Sequence, residues 1–165
     1  MFVHKRIGIK APRSRIAQRP PWSRPRGRQA RASPGSIEGV HVTAIIAAGG
    51  HGERFGGELP KQLVPLGGRP ILQRSLDAFV LHDRITDVVV ALPTDLAANA
   101  PPYLHGRPKP IEIVEGGTRR QDSVARAFAR ISPAAEIVVI HDAARPLVSS
   151  VLIERALDAA AVHGA

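Results

Sequence analysis

From Val42 onward the chain alternates short apolar runs with stretches whose apolar residues recur at helical spacing. Val42-Thr43-Ala44-Ile45-Ile46-Ala47-Ala48 is a nearly continuous apolar run ending in glycines, the pattern of a buried strand. A glycine-rich loop follows, from Gly49 to about Gly68. Pro70 is predicted to open a helix in its first turn, where a missing N–H is harmless, with Ile71, Leu72, Ser75, Leu76 and Phe79 on one face. Asp87 to Leu92 reads as a second strand, stopped by Pro93. Pro101, Pro102, Pro108 and Pro110 restrict residues 94–110 to a short helix and loop. Ile111 to Glu115 is a third strand, and a helix from Arg120 to Ile131 turns Val124, Ala127, Phe128 and Ile131 inward. Ile137 to Ile140 is the fourth strand. Ser149 or Ser150 caps a last helix, which Gly164 terminates.

Apolar strands alternating with amphipathic helices predict an α/β fold, a mostly parallel Rossmann-like sheet with helices on both faces. Ligands in such sheets bind outside the carboxyl ends of the strands. Three loops leave those ends, Gly49–Lys61, Gly116–Ser123 and His141–Pro146, and each carries unusual polar chemistry.

Length and composition narrow this picture. The 165 residues suffice for one domain with its own core. The absence of cysteine removes disulfides and thiolate metal sites and suits a cytoplasmic setting. No apolar run is long enough to cross a bilayer, and the N-terminus offers no apolar stretch of signal-peptide type. The net charge of +9 suggests nucleic acid only until it is divided. Residues 1–40 hold ten Lys or Arg against one acid, Glu38, whereas residues 41–165 balance at thirteen of each. The basicity therefore belongs to an extension, not to a folded surface. That extension, rich in Arg and broken by Pro12, Pro20, Pro21, Pro25 and Pro34, has a disordered composition. It reads as a dispensable segment. A transit peptide, which would make the setting plastidic, and a non-specific polyanion binder are the other readings.

The first loop, Ala47-Ala48-Gly49-Gly50-His51-Gly52-Glu53-Arg54 continuing to Pro60-Lys61-Gln62, is suited to an anion. Gly49, Gly50 and Gly52 let the backbone turn and aim N–H groups at a phosphate, and Arg54 and Lys61 add two cations. The alternative is an ordinary turn with a solvated Arg and Lys. Two familiar phosphate loops are excluded. The dinucleotide fingerprint needs a glycine where Phe55 stands, and a Walker-type loop needs Ser or Thr after a Gly-Lys pair, whereas Lys61 lies between Pro60 and Gln62.

This loop closely resembles the signature of the methylerythritol phosphate cytidylyltransferases and their sugar-nucleotidyltransferase relatives. Two further stretches resemble the same family in order and spacing: Val114-Glu115-Gly116-Gly117-Thr118-Arg119-Arg120-Gln121-Asp122-Ser123-Val124, and Ile140-His141-Asp142-Ala143-Ala144-Arg145-Pro146. The resemblance covers residues 42–165 and implies a nucleotide-diphospho-sugar transferase type of sheet. It implies that Arg54 and Lys61 hold the triphosphate of CTP and stabilise charge at the attacked α-phosphorus. The backbone around Ala48 and Gly117, with Thr118 and Ser123, would read cytosine; Arg120 would support the site. Asp142 would bind Mg²⁺, and Arg145 would lie toward the polyol phosphate. The acceptor phosphate is largely dianionic at neutral pH, so charge neutralisation and positioning matter more than a general base.

His141 and Asp142 are adjacent on a strand and point to opposite faces, so His141 is read as structural. His51 is read as a surface position. Relatives continue past Ala165 with a dimerisation arm, acceptor-gripping residues and a second acidic metal ligand, so this chain is expected to be C-terminally incomplete and its complete form a homodimer. The expected partners are CTP and a polyol phosphate, with no specific nucleic acid and no membrane. Ribitol phosphate cytidylyltransferases share the three motifs. Their third motif has a different residue pattern, which favours methylerythritol phosphate here. A reading of another class is an inactive fragment whose basic extension binds polyanions.

Overall fold

The four apolar runs form four parallel strands, joined at one edge by a strand from the start of the chain. A computed structural model describes residues 1–5, 39–50 and 60–163. Strand β1 spans Phe2–Lys5 and β2 spans Val42–Ala47. Pro65–Leu66 and Arg69–Pro70 form a two-residue hairpin, β3 and β4. Its turn uses Gly67 and Gly68 at φ of 55° and 77°, the left-handed pair that such tight hairpins demand. Strands β5 (Asp87–Leu92), β6 (Ile111–Glu115) and β7 (Ile137–Asp142) complete the set. The helices are α1 (Ile71–Val80), α2 (Thr94–Ala98), α3 (Arg120–Phe128) and α4 (Ser150–His163).

The main sheet has the order β1-β7-β2-β5-β6. β2 lies parallel to both β5 and β7, and β5 parallel to β6. The expected mostly parallel sheet with helices on both faces is thus present. Successive residues of each strand enter opposite cores. Ala44, Ile46, Val88, Val90 and Val139 pack with Leu72, Leu76 and Phe79 of α1 and Ile153 and Leu157 of α4. Ile45, Val89, Ala91 and Val138 pack with Ala127 and Ile131 on the α3 side. Fully burying one of the Val, Leu, Ile or Phe side chains contributes roughly 1.5–3 kcal/mol. Chirality decides which helix goes where. The chain steps outward from β2 to β5 to β6 with α1 and α2 on one face. Crossing back from β6 to β7, a right-handed connection must use the other face, where α3 lies.

Four details differ from the sequence reading. Phe2–Lys5 pairs antiparallel with β7, from Phe2 opposite Ile140 to Lys5 opposite Ile137. The extension was expected to lie wholly outside the fold; its first residues do not, and residues 6–38 lie outside the described residues. Pro70 stands before the first helical residue rather than in the first turn, at φ −53° and ψ 142°, because its preset φ serves an extended entry equally well. α3 ends at Phe128, although Ile131 beyond it is still buried. β7 continues through His141 and Asp142, since the ladder to Ile46 and Ala47 runs on after the apolar run stops. Ser149 is the cap of α4: its Oγ accepts the Leu152 N–H at 3.2 Å. Gly164 lies outside the described residues. No helix among the described residues is long and apolar enough to cross a membrane.

Candidate functional site

Strand order creates the site. Connections leaving β2 move toward β5 on one side, and the chain later returns to β7 on the other. The carboxyl ends of β2 and β7 therefore flank a switch point, where loops diverge and leave a crevice. A cleft of about 250 Å³ opens there. Ala47 to Gly50 leave β2 along one wall, and Asp142, Ala143 and Ala144 leave β7 along the opposite one. Arg120 and Ser123 contribute from the first turns of α3, and Lys61 and Gln62 from the short 3₁₀ turn Lys61–Leu63.

Backbone contacts fix these walls. The Ala48 N–H donates to the Ala91 carbonyl at 2.9 Å, and the Ala143 N–H to the Ala47 carbonyl at 3.0 Å. Ser75, buried in α1, donates its hydroxyl to the Ala143 carbonyl at 2.8 Å. The two glycine loops then touch directly. A Cβ on Gly49 would stand 2.3 Å from Ser123 Oγ and 3.1 Å from Gly116 Cα. A Cβ on Gly116 would meet Gly49 Cα at 2.8 Å and the Leu92 carbonyl at 3.1 Å. Only glycine permits that approach. Ser123 Oγ sits in the junction and accepts the Gly117 N–H at 3.0 Å.

Charge concentrates on Asp142. Arg120 Nε donates to its Oδ1 at 2.5 Å, and Arg145 Nε lies 3.4 Å from its Oδ2. Beneath it, His141 is buried against Phe79, with ring centroids 5.0 Å apart. Its Nε2–H donates to the Arg145 carbonyl at 3.0 Å, which fixes both the tautomer and the start of that loop. Burial holds the His141 pKa below the usual histidine value, so the ring is neutral at pH 7. At the rim, Arg119 grips Asp122 through Nε at 3.0 Å and Nη2 at 2.9 Å. That guanidinium lowers the Asp122 pKa. Arg126 donates to the Gly116 carbonyl at 2.8 Å and steadies the second glycine loop.

Of the residues singled out from sequence, Ala48, Gly49, Gly50, Lys61, Arg120, Ser123 and Asp142 line one cleft. Gly117 adjoins it through Ser123. Thr118 is exposed and outside the lining, and Arg145 reaches the site through Asp142. Arg54, Gly52 and His51 lie outside the described residues. Three contributors carry no role in the sequence reading. Gln62 lines the cleft while almost fully buried, and only its place beside Lys61 marks it. Ser75 and Arg126 act on backbone carbonyls far away in sequence, a relation no local pattern encodes.

The donor set also bears on a metal. Among the described residues no three His, Asp or Glu side chains cluster as a metal cage. Asp142 is the single carboxylate lining the cleft among the described residues. Each of its oxygens faces one guanidinium, and a carboxylate has about four acceptor positions. This suits Mg²⁺, which keeps several waters and takes one or two carboxylates plus substrate phosphates.

Comparison with known proteins agrees with this architecture. Residues 42–165 match the family model described as 2-C-methyl-D-erythritol 4-phosphate cytidylyltransferase. The bifunctional enzyme IspD/IspF of Rhodospirillum rubrum is 42% identical over 123 residues, covering 74% of this chain and 32% of that protein. The 2-C-methyl-D-erythritol 4-phosphate cytidylyltransferase of Frankia casuarinae is 40% identical over 128 residues, 78% of this chain and 47% of its own length. The crystal structure of the Thermus thermophilus protein of the same name is similar with a TM-score of 0.56 and 36% identity, over 73% of this chain and 50% of that one. The chain thus spans about half the length, or less, of these relatives.

Proposed function

Because the chain belongs, over residues 42–165, to the 2-C-methyl-D-erythritol 4-phosphate cytidylyltransferase family, we propose that its cleft handles CTP in transfer of CMP to 2-C-methyl-D-erythritol 4-phosphate. The observation that carries this reading is the convergence of Lys61, Arg120, Ser123 and Asp142, from three different elements, on one cleft at the strand-order switch.

In the proposed reaction an oxygen of the acceptor phosphate forms a bond to the α-phosphorus of CTP. The bond between that phosphorus and the oxygen bridging to the β-phosphorus breaks, and pyrophosphate leaves. The acceptor phosphate has a second pKa near 6 and attacks as a dianion, so no side chain need remove a proton. The protein's task is to neutralise and align four phosphates. Lys61 supplies a cation from the first loop and Arg120 one from the start of α3. The N-terminal end of α3 adds its partial positive charge on the same side. Arg54, by its resemblance to the family motif, is a further triphosphate contact. Asp142 would hold Mg²⁺, which when bound neutralises phosphate oxygens. Arg145, already paired to Asp142, extends toward the acceptor.

Cytosine selection falls to the backbone at Ala48 and Gly117 and to the Ser123 hydroxyl, which bridges the two glycine loops; Thr118 joins from the rim. A homodimer and further acceptor contacts are part of the proposal by the family resemblance alone. A cytoplasmic setting completes the proposal, although the rice relative bears the name chloroplastic.

The test is pyrophosphate release from CTP with methylerythritol phosphate or ribitol 5-phosphate as acceptor, with and without Mg²⁺. The expected result is Mg²⁺-dependent release that prefers methylerythritol phosphate, slow beside a full-length relative and abolished by Lys61→Ala. Equal release with ribitol phosphate would reject the acceptor. A folded chain that binds no CTP at all would reject the reading.

A further inference from the structure

Strand β1 carries an aromatic ring to the edge of the cleft. Phe2 pairs in register with Ile140, which puts its side chain on the α3 side of the sheet, while Met1 and Val3 pack into the opposite core. The ring is 66% exposed and belongs to neither core cluster, so burial does not explain its position. What it meets is Arg120, whose guanidinium carbon lies over the ring, 5.6 Å from the centroid. The same guanidinium donates through Nε to Asp142 and lines the cleft.

A guanidinium can present its face to an aromatic ring and its edge to an anion at the same time. Arg120 is the first residue of α3, and its side chain is 47% exposed. Without lateral support such a chain loses rotamer entropy each time it engages an anion. The ring on one side and the carboxylate on the other define a single orientation before any ligand arrives. Asp142 alone leaves the guanidinium free to swing about that contact.

We propose that Phe2 is a positioning residue for the candidate site, holding Arg120 on Asp142 and toward the cleft. The consequence for nucleotide binding rests on the reading of that cleft as the CTP site. The start of the chain is then part of the binding machinery even though it lies far from the three loops in sequence. An ordered Arg120 needs no reorganisation to meet a phosphate, so the ring contributes to affinity without touching the ligand.

The experiment uses the full chain and three proteins: unchanged, Phe2→Leu and Phe2→Trp. Leucine keeps an apolar side chain on β1 but removes the π face, and the exposure of Phe2 makes both changes compatible with folding. The first readout needs no ligand: the Arg120 Nε–H resonance and its exchange with solvent. In Phe2→Leu it is expected to lose its ring-current displacement and exchange faster, and in Phe2→Trp to retain both features. The second is titration with CTP·Mg²⁺, where Phe2→Leu is expected to bind roughly two- to fivefold more weakly and Phe2→Trp as well as the unchanged chain. An Arg120 resonance indifferent to residue 2 overturns the proposal, as does a displaced resonance with unaltered CTP affinity. A resonance that follows residue 2 in a chain binding no CTP sustains the positioning contact and removes only the cytidylyltransferase reading.

Discussion

At the junction of the two glycine loops, one added methyl group separates packing from solvent. Gly116→Ala places a Cβ against the Gly49 backbone and the Leu92 carbonyl, neither of which can move without opening the sheet end. Overpacking of that kind costs about 1–3 kcal/mol, which urea denaturation measures directly. Gly50→Ala, with no atom of the described residues within 4 Å of the added one, is expected to stay within about 0.5 kcal/mol. Equal losses in both would show that the loops do not touch as described. Lys61→Ala is the complementary change. It removes a cation from the cleft and is expected to weaken CTP binding by about 1.5–3 kcal/mol, as loss of a charged hydrogen bond to phosphate does, in a calorimetric titration. His141 provides a pH test. Its folded pKa is depressed by burial, so the unfolded chain takes up the proton first as pH falls. Its stabilising effect is complete above the unfolded value near 6.5 and is lost as pH drops toward the folded one. His141→Gln is expected to flatten the fall in urea stability between pH 7.5 and 5.5; an unchanged slope would contradict the burial argument.

Among the elements, β1 is the one whose role separates folding from composition. Met1 and Val3 are partly buried against the core that α4 closes, and the strand covers the outer edge of β7. Starting the chain at Val40 should therefore cost about 1–2 kcal/mol in urea unfolding, from half-buried apolar groups alone. An exposed edge also invites association, visible as a concentration-dependent mass in sedimentation. No loss and no association would mean that β1 contributes nothing to the fold. The four parallel strands were legible because Val and Ile runs buried on both faces need no alternation and end at Gly or Pro. β1 was not, because four residues are too few for a period and their partner lies about 135 positions away. The end of β7 is not encoded by the apolar pattern, for a related reason. A strand is defined by its ladder, and the ladder to β2 continues through polar His141 and Asp142.

For the molecule as a whole, the three loops could be tied to one end of a sheet from their positions after apolar strands. The strand order that brings β2 beside β7, and so Lys61, Arg120 and Asp142 around one cleft, is a property of the crossovers. Local periodicity does not encode it. Nor does it encode the Arg120–Asp142 pair, which joins a helix start to a strand end 22 residues later. The central claim is that these loops form one nucleotide site, and amide chemical-shift mapping of the ¹⁵N-labelled chain during titration with CTP·Mg²⁺ tests it most directly. Perturbations are expected to concentrate at residues 47–50, 61–62, 116–123 and 142–145, and to be much reduced in Asp142→Asn. Perturbations confined to the amino ends of the strands, or spread along the basic extension and unchanged in Asp142→Asn, would contradict it.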